Sequence, residues 1–106
     1  KNGIIAISLR EDDELIGVAA VYYNDFNTKV GFITNVSVIK EKQNQGIAHQ
    51  LLENAIRYGR EMNFNQVNLE VRDIHNNRII NLYKNLGFVT INIENNKIIM
   101  SNLLKK

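Results

Sequence analysis

The chain has 106 residues, and its 13 Lys plus Arg against 11 Asp plus Glu give a formal charge of +2. That length suits one domain over 1–106, the 44% hydrophobic and 23% charged content argues against long disorder, and so weak a charge without a basic stripe argues against nucleic acid as a partner. Cysteine is absent, which excludes disulfides, a thiol nucleophile and cysteine zinc sites; two histidines, His49 and His75, are too few for a histidine-only cage, so no metal is expected.

Ile4 to Leu9 is a short β-branched run and reads as a strand. Glu11 to Glu14 is a charged turn, and Leu15 to Tyr23 resumes as a second strand, apolar on both faces and so interior to a sheet. Asn24 to Thr28 has turn chemistry, and Lys29 to Ile39 is the third strand of an antiparallel meander. The period then changes. Ile47, Ala48, Leu51, Leu52, Ala55, Ile56 and Met62 form a helical stripe, with Asn63 as its stop. Val67, Leu69 and Val71 alternate with Asn68, Glu70 and Arg72, a half-buried fourth strand. Asn76 or Asn77 caps a second helix with the stripe Ile79, Leu82, Tyr83 and Leu86, ending at Gly87. Phe88 to Ile93 and Lys97 to Leu103 close the chain as a hairpin. The expected fold is α/β (α+β): a mixed, mostly antiparallel twisted sheet with helices packed on it, its third and fourth strands joined by a parallel crossover. No apolar run approaches the ~20 residues of a membrane span, so no membrane is expected as a partner.

Two stretches carry chemistry. The first runs from Val36 through Gln43-Asn44-Gln45-Gly46-Ile47-Ala48-His49, where a strand enters a polar loop and small residues open a helix. A helix start presents unpaired N–H groups and partial positive charge, and small residues let a phosphate approach them. Read alone, Gly46 is more simply a helix-start residue and Ala48 a good helix former. The loop lacks the Gly-Lys-Ser/Thr of a Walker loop and two of the three glycines of a dinucleotide fingerprint. The second stretch runs from Asn76 to Gly87-Phe88. Tyr83 lies two helical turns beyond Asn76 on the same face, where a hydroxyl could donate a proton. Read alone, Tyr83 is more simply part of an amphipathic core stripe with its hydroxyl at the rim. Glu70 and Arg72 read as the solvated face of the fourth strand.

Together the two stretches resemble the GNAT superfamily of acyl-CoA-dependent N-acetyltransferases. Gln43-x-x-Gly46-x-Ala48 after a strand matches its Gln/Arg-x-x-Gly-x-Gly/Ala signature, and Asn76…Tyr83…Gly87-Phe88 matches its second signature. The resemblance covers residues 4–104 and implies a GNAT-like fold. It implies that Gln43, Asn44, Gln45, Gly46, Ile47, Ala48 and His49 hold the pyrophosphate of acetyl-CoA. It also implies that the backbone of Val36, Ser37 and Val38 pairs with pantetheine, that Asn76 contacts the cofactor, and that Tyr83 protonates the departing thiolate. A backbone N–H near Val36 or Ser37 would stabilise the oxyanion.

Three departures stand out. The carboxylate many members carry on the central strand is replaced by Thr34-Asn35, leaving Glu70 or an ordered water as base. Asn44 stands where Gly is common, and Ile79 where a small residue is common. The usual N-terminal strand and helices, which help bind the acceptor, do not precede the meander, so the domain is expected to be N-terminally truncated. The implied activity is transfer of acetyl from acetyl-CoA to a primary amine of a small molecule or protein, in the cytoplasm, without a metal. A non-catalytic acyl-CoA-binding sensory module is the alternative, and a packing-only domain the third reading. The exposed edge of the terminal hairpin could pair two chains into a homodimer.

Overall fold

The computed structural model describes residues 4–104. Its elements are β1 (Ile4–Glu11), β2 (Glu14–Tyr22), β3 (Val30–Val38), a 3₁₀ turn at Lys40–Lys42, α1 (Ile47–Glu61), β4 (Gln66–Val71), α2 (Asn77–Asn85), β5 (Val89–Glu94) and β6 (Lys97–Leu103). The expected order holds, with the 3₁₀ turn added. β1 runs to Glu11 rather than stopping at Leu9 because the turn uses only Asp12 and Asp13, at φ 52° and 67°. Asn95 and Asn96 turn the last hairpin the same way, at φ 51° and 60°. Asp and Asn tolerate this left-handed region, and paired positive φ is what tight hairpins need. Asn63, at φ 64°, follows the end of α1 in the same conformation.

The six strands form one sheet in the order β1-β2-β3-β4-β6-β5. Every neighbouring pair is antiparallel except β3 with β4. Two crossovers, β3–α1–β4 and β4–α2–β5, step in the same direction across the sheet. Right-handed connections therefore put both helices on one face. That face holds the core: Val21, Ile33, Val67, Leu69 and Met100 from the strands meet Leu52, Ala55 and Ile56 of α1, Tyr83 of α2, and Phe64 and Phe88. Side chains such as Leu51, Leu52 and Phe64 are fully buried, and each contributes about 1.5–3 kcal/mol. The opposite face carries Val18, Ala20, Tyr22 and Phe32, all half-buried, and no helix among the described residues covers it.

The feature that positions the site is the short length of the β3–β4 ladder. Val30, Gly31 and Phe32 pair with Gln66, Val67 and Asn68, and there the ladder stops. β3 continues along β2 to Val38, and β4 continues along β6 to Val71. A bulge at Thr34 bends β3 where the strands part: Val21 pairs with Ile33 and Ala20 with Asn35. One extra residue shifts the side-chain parity. Gly31 and Ile33 are buried before it, and Val36 and Val38 turn toward the helix side after it. The Thr34 hydroxyl donates to the Ala20 carbonyl at 3.3 Å, fastening the bulge to β2.

Candidate active site

The splay between β3 and β4 opens into a cleft of about 670 Å³. β3 forms one wall, β4 and α2 the other, and the start of α1 the mouth. Past Phe32 the β4-facing edge of β3 has no ladder partner. Its peptide groups remain available to an extended ligand, as at any unpaired strand edge.

α1 starts at Ile47 behind Gly46, which has φ 82° and no side-chain cap, and no acidic residue occupies the first turn. The orphan N–H groups of that turn therefore keep their partial positive charge. A Cβ placed on Gly46 would meet no atom within 4 Å, so the loop faces open space. Gln43 donates its side-chain N–H to the Val38 carbonyl at 3.1 Å, which folds the loop back on the end of β3. Gln45 donates to the Glu41 carbonyl at 3.0 Å. His49 Nδ1 lies 3.5 Å from Glu53 one turn on.

α2 enters from the far wall. Asn76 caps it, accepting a hydrogen bond from the Ile79 N–H at 3.1 Å. Two turns later Tyr83 is buried in the helix-side core, its ring edge-on to Phe88 at 5.8 Å. Its hydroxyl bonds to no other described residue, and Tyr83 is among the residues that line the cleft. Burial pushes the Tyr83 phenol above its ordinary range, so it stays protonated, as a proton donor must. At the mouth, Arg78 in the first turn of α2 donates to the side-chain oxygen of Asn44, joining the two motif stretches. Lys42 lines the same mouth but lies 2.5 Å from Glu11, whose hydrogen bond and charge raise the ammonium pKa.

A second cleft of about 490 Å³ reaches the same point from the side of Phe32, Arg72 and Asp73. The two share Ile33, Thr34, Glu70, Ile79 and Tyr83. The Glu70 side chain is half-buried, at 25% exposure, with Arg72 at 3.3 Å and Lys97 at 3.4 Å. It is thus a cleft residue rather than merely the solvated face of β4.

The structure brings together Val36, Val38, Gln43, Asn44, Gly46, Ile47, Ala48, His49, Asn76 and Tyr83 around the first cleft. Ser37 and Gln45 do not line it. The Ser37 side chain lies on the helix-free side within 3.4 Å of Asn35, and that of Gln45 turns back to Glu41. Sequence reasoning missed Arg78 and Lys42. Arg78 left a readable signal: a cation in the first turn of a helix stands at the wrong end of the dipole.

The splayed parallel strand pair, the bare helix start at its mouth and the tyrosine at its throat together make one candidate site. A family model described as the acetyltransferase (GNAT) family matches residues 1–88, and the chain belongs to that family. No curated protein matches the chain significantly. Among solved structures, the ribosomal-protein-S18-alanine N-acetyltransferase from Escherichia coli is similar with a TM-score of 0.90 at 23% identity, over 100% of this chain and 72% of that one. The PaiA N-acetyltransferase from Thermoplasma acidophilum, in complex with coenzyme A, has a TM-score of 0.84 at 18% identity, over 95% of this chain and 61% of that one. A GNAT family acetyltransferase from Elizabethkingia anophelis, with acetyl-CoA bound, gives 0.79 and 20%, over 91% and 73%. At these identities the likeness is one of fold, and it agrees with the mixed sheet and two helices expected from the sequence.

Proposed function

We propose that the chain transfers an acetyl group from acetyl-CoA to a primary amine. The observation that carries the reading is the convergence at the β3–β4 splay. The open edge of β3, the uncapped start of α1 and Tyr83 all line one cleft. These features suit coenzyme A chemically. The strand edge offers peptide groups to an amide-containing arm, and the helix start with Gly46 in open space offers N–H donors to phosphate. Val36, Ser37 and Val38 would hold the arm through their backbone, and Gln43 to His49 the pyrophosphate. Asn76 already caps α2 with its oxygen, so its amide N–H₂ is what it has left for a ligand.

Bound acetyl-CoA would supply the acyl group already activated as a thioester. Glu70, at the junction of the two clefts, takes the proton that the acceptor ammonium gives up, directly or through water. Once neutral, the acceptor amine would attack the thioester carbon; as the C–N bond forms and the C–S bond breaks, Tyr83 gives its phenolic proton to the departing sulfur and regains one from the nitrogen, directly or through water. N–H groups on β3 near Val36 or Ser37 donate to the carbonyl oxygen as charge develops there. The amine enters by the second cleft, which meets the first at Tyr83.

The test is calorimetric titration with acetyl-CoA, followed by a thiol-release assay across a panel of amines. Binding with thiol release is expected, as is loss of release but not of binding in Glu70→Gln. The carboxylate-free Thr34-Asn35 bulge favours one second reading, a non-catalytic acyl-CoA sensor. Binding without turnover of any amine would support that reading instead. A folded chain that ignores acetyl-CoA would overturn both.

A further inference from the structure

The bond between Arg78 and Asn44 crosses the mouth of the cleft, 34 residues apart in sequence. It is the side-chain hydrogen bond by which α2 holds the loop ahead of α1. Three facts about it do not fit a simple structural tie. Both residues are exposed, so the bond gains little by burial. Arg78 stands in the first turn of α2, where the helix dipole disfavours a cation, and no acidic residue occupies that turn or the first turn of α1 opposite. No carboxylate among the described residues lies within ion-pair distance of Arg78, whereas Lys42 on the same rim is neutralised by Glu11. The guanidinium thus sits on the cleft rim with a neutral amide oxygen as partner. That oxygen occupies one of its five donors.

We infer that Arg78 recognises a phosphate of coenzyme A, and that Asn44 is its placeholder, giving up the guanidinium when the phosphate arrives. This rests on the cleft being the coenzyme A site. A phosphate oxygen is a stronger acceptor than an amide oxygen for a guanidinium, so the exchange runs toward the ligand. Asn44 suits the part because its backbone is left-handed at φ 64°. Asn tolerates that region, and the turn presents its short side chain to Arg78. The sequence departure at position 44, Asn in place of Gly, thereby acquires a role: it keeps the guanidinium at the rim until the phosphate arrives.

The experiment is calorimetry with coenzyme A, dephospho-coenzyme A and pantetheine on the wild type, Arg78→Ala, Arg78→Lys and Asn44→Gly. Thermal melts verify folding. Arg78→Ala should lose about tenfold to a hundredfold in coenzyme A affinity, the size of a charge-assisted hydrogen bond. Pantetheine affinity should not change. Arg78→Lys should recover part of the loss. A loss that persists with dephospho-coenzyme A assigns the pyrophosphate, and one that vanishes assigns the 3′-phosphate. Asn44→Gly keeps the left-handed backbone and removes the competing oxygen, so it should bind coenzyme A about twofold to tenfold more tightly. Unchanged coenzyme A binding in Arg78→Ala, or an equal loss of pantetheine, overturns the assignment. Unchanged or weaker binding in Asn44→Gly overturns the exchange. A wild type that binds none of the three ligands overturns the coenzyme A reading itself, and this inference with it.

Discussion

The two ends of the β3–β4 pair use the same two strands for opposite purposes. At the closed end, Val30 to Phe32 are laddered to Gln66 to Asn68. Tyr23 lies over them, its hydroxyl donating to the Ala55 carbonyl at 2.8 Å and its ring edge-on to Phe64 at 5.0 Å. Phe26 meets Phe64 edge-on at 5.3 Å, and the Lys29 ammonium lies 5.5 Å from the Phe26 ring centroid. A methyl added to Gly31 or Gly59 would overlap Tyr23. At the open end, a methyl added to Gly46 would meet nothing within 4 Å. The contrast shows how a small sheet holds a gap in its own middle. The parting strands are clamped at one end by packing too dense for a methyl, bent by one bulge, and left unpaired beyond it.

The largest expected effect lies at the open end. Tyr83→Phe removes a hydroxyl that bonds to no other described residue, so the melting temperature should stay near that of the wild type. If that hydroxyl is the acid, thiol release should fall by about 10²–10⁴-fold. An unchanged rate would take Tyr83 out of the mechanism and leave it as a wall of the cleft.

A pair of glycine substitutions tests the comparison next. Gly31→Ala should destabilise by about 1–3 kcal/mol, because the Tyr23 ring has nowhere to move without disturbing Phe64 and Ala55. Gly46→Ala has room but wrong backbone geometry, since φ is 82°. Its cost should be about 1–2 kcal/mol, from the left-handed conformation alone. Acetyl-CoA binding separates the two. Gly46→Ala should weaken it while folded, and Gly31→Ala should spare it below its melting temperature. Equal loss of binding in both would mean that the two ends are not mechanically distinct.

The sequence disclosed local conformation well and long-range contacts poorly, for physical reasons. Period-2 and period-3.6 patterns located every strand and helix to within two residues, because burial on one face dictates them. The loop at Gln43 to Ala48 and the helix from Asn76 to Gly87 were legible because their backbone conformations restrict residue type. What failed to show was whatever depends on distant partners. The bulge at Thr34 has no local signature, since Thr-Asn is ordinary strand-end composition and the extra residue is defined only against β2. The Tyr23 clamp joins residues 32 apart, and the Arg78–Asn44 bridge residues 34 apart. Glu70 reads as outward by alternation, and it is the splay beside it that makes this face part of a cleft.

The smallest effect is silent at neutral pH and separates the two buried tyrosines. Burial raises the phenol of each: Tyr23 at the closed end, where the nearby Arg60 charge only partly offsets the effect, and Tyr83 in the cleft. A group whose folded pKa lies above its unfolded value stabilises the fold fully below the unfolded value. That contribution is lost as pH rises through the folded one. The window therefore opens near the ordinary tyrosine value, about 10, and extends upward. Phenolate absorbance should show Tyr23 and Tyr83 titrating late. Tyr23→Phe should cost about 1 kcal/mol at neutral pH through the lost hydrogen bond to Ala55, and should flatten the alkaline loss of stability. Tyr83→Phe should flatten it less, because Tyr83 lines the open cleft whereas the Tyr23 hydroxyl is tied to the Ala55 carbonyl inside the core. A larger flattening in Tyr83→Phe would mean that the cleft is drier than the clamp, reversing the contrast between the two ends.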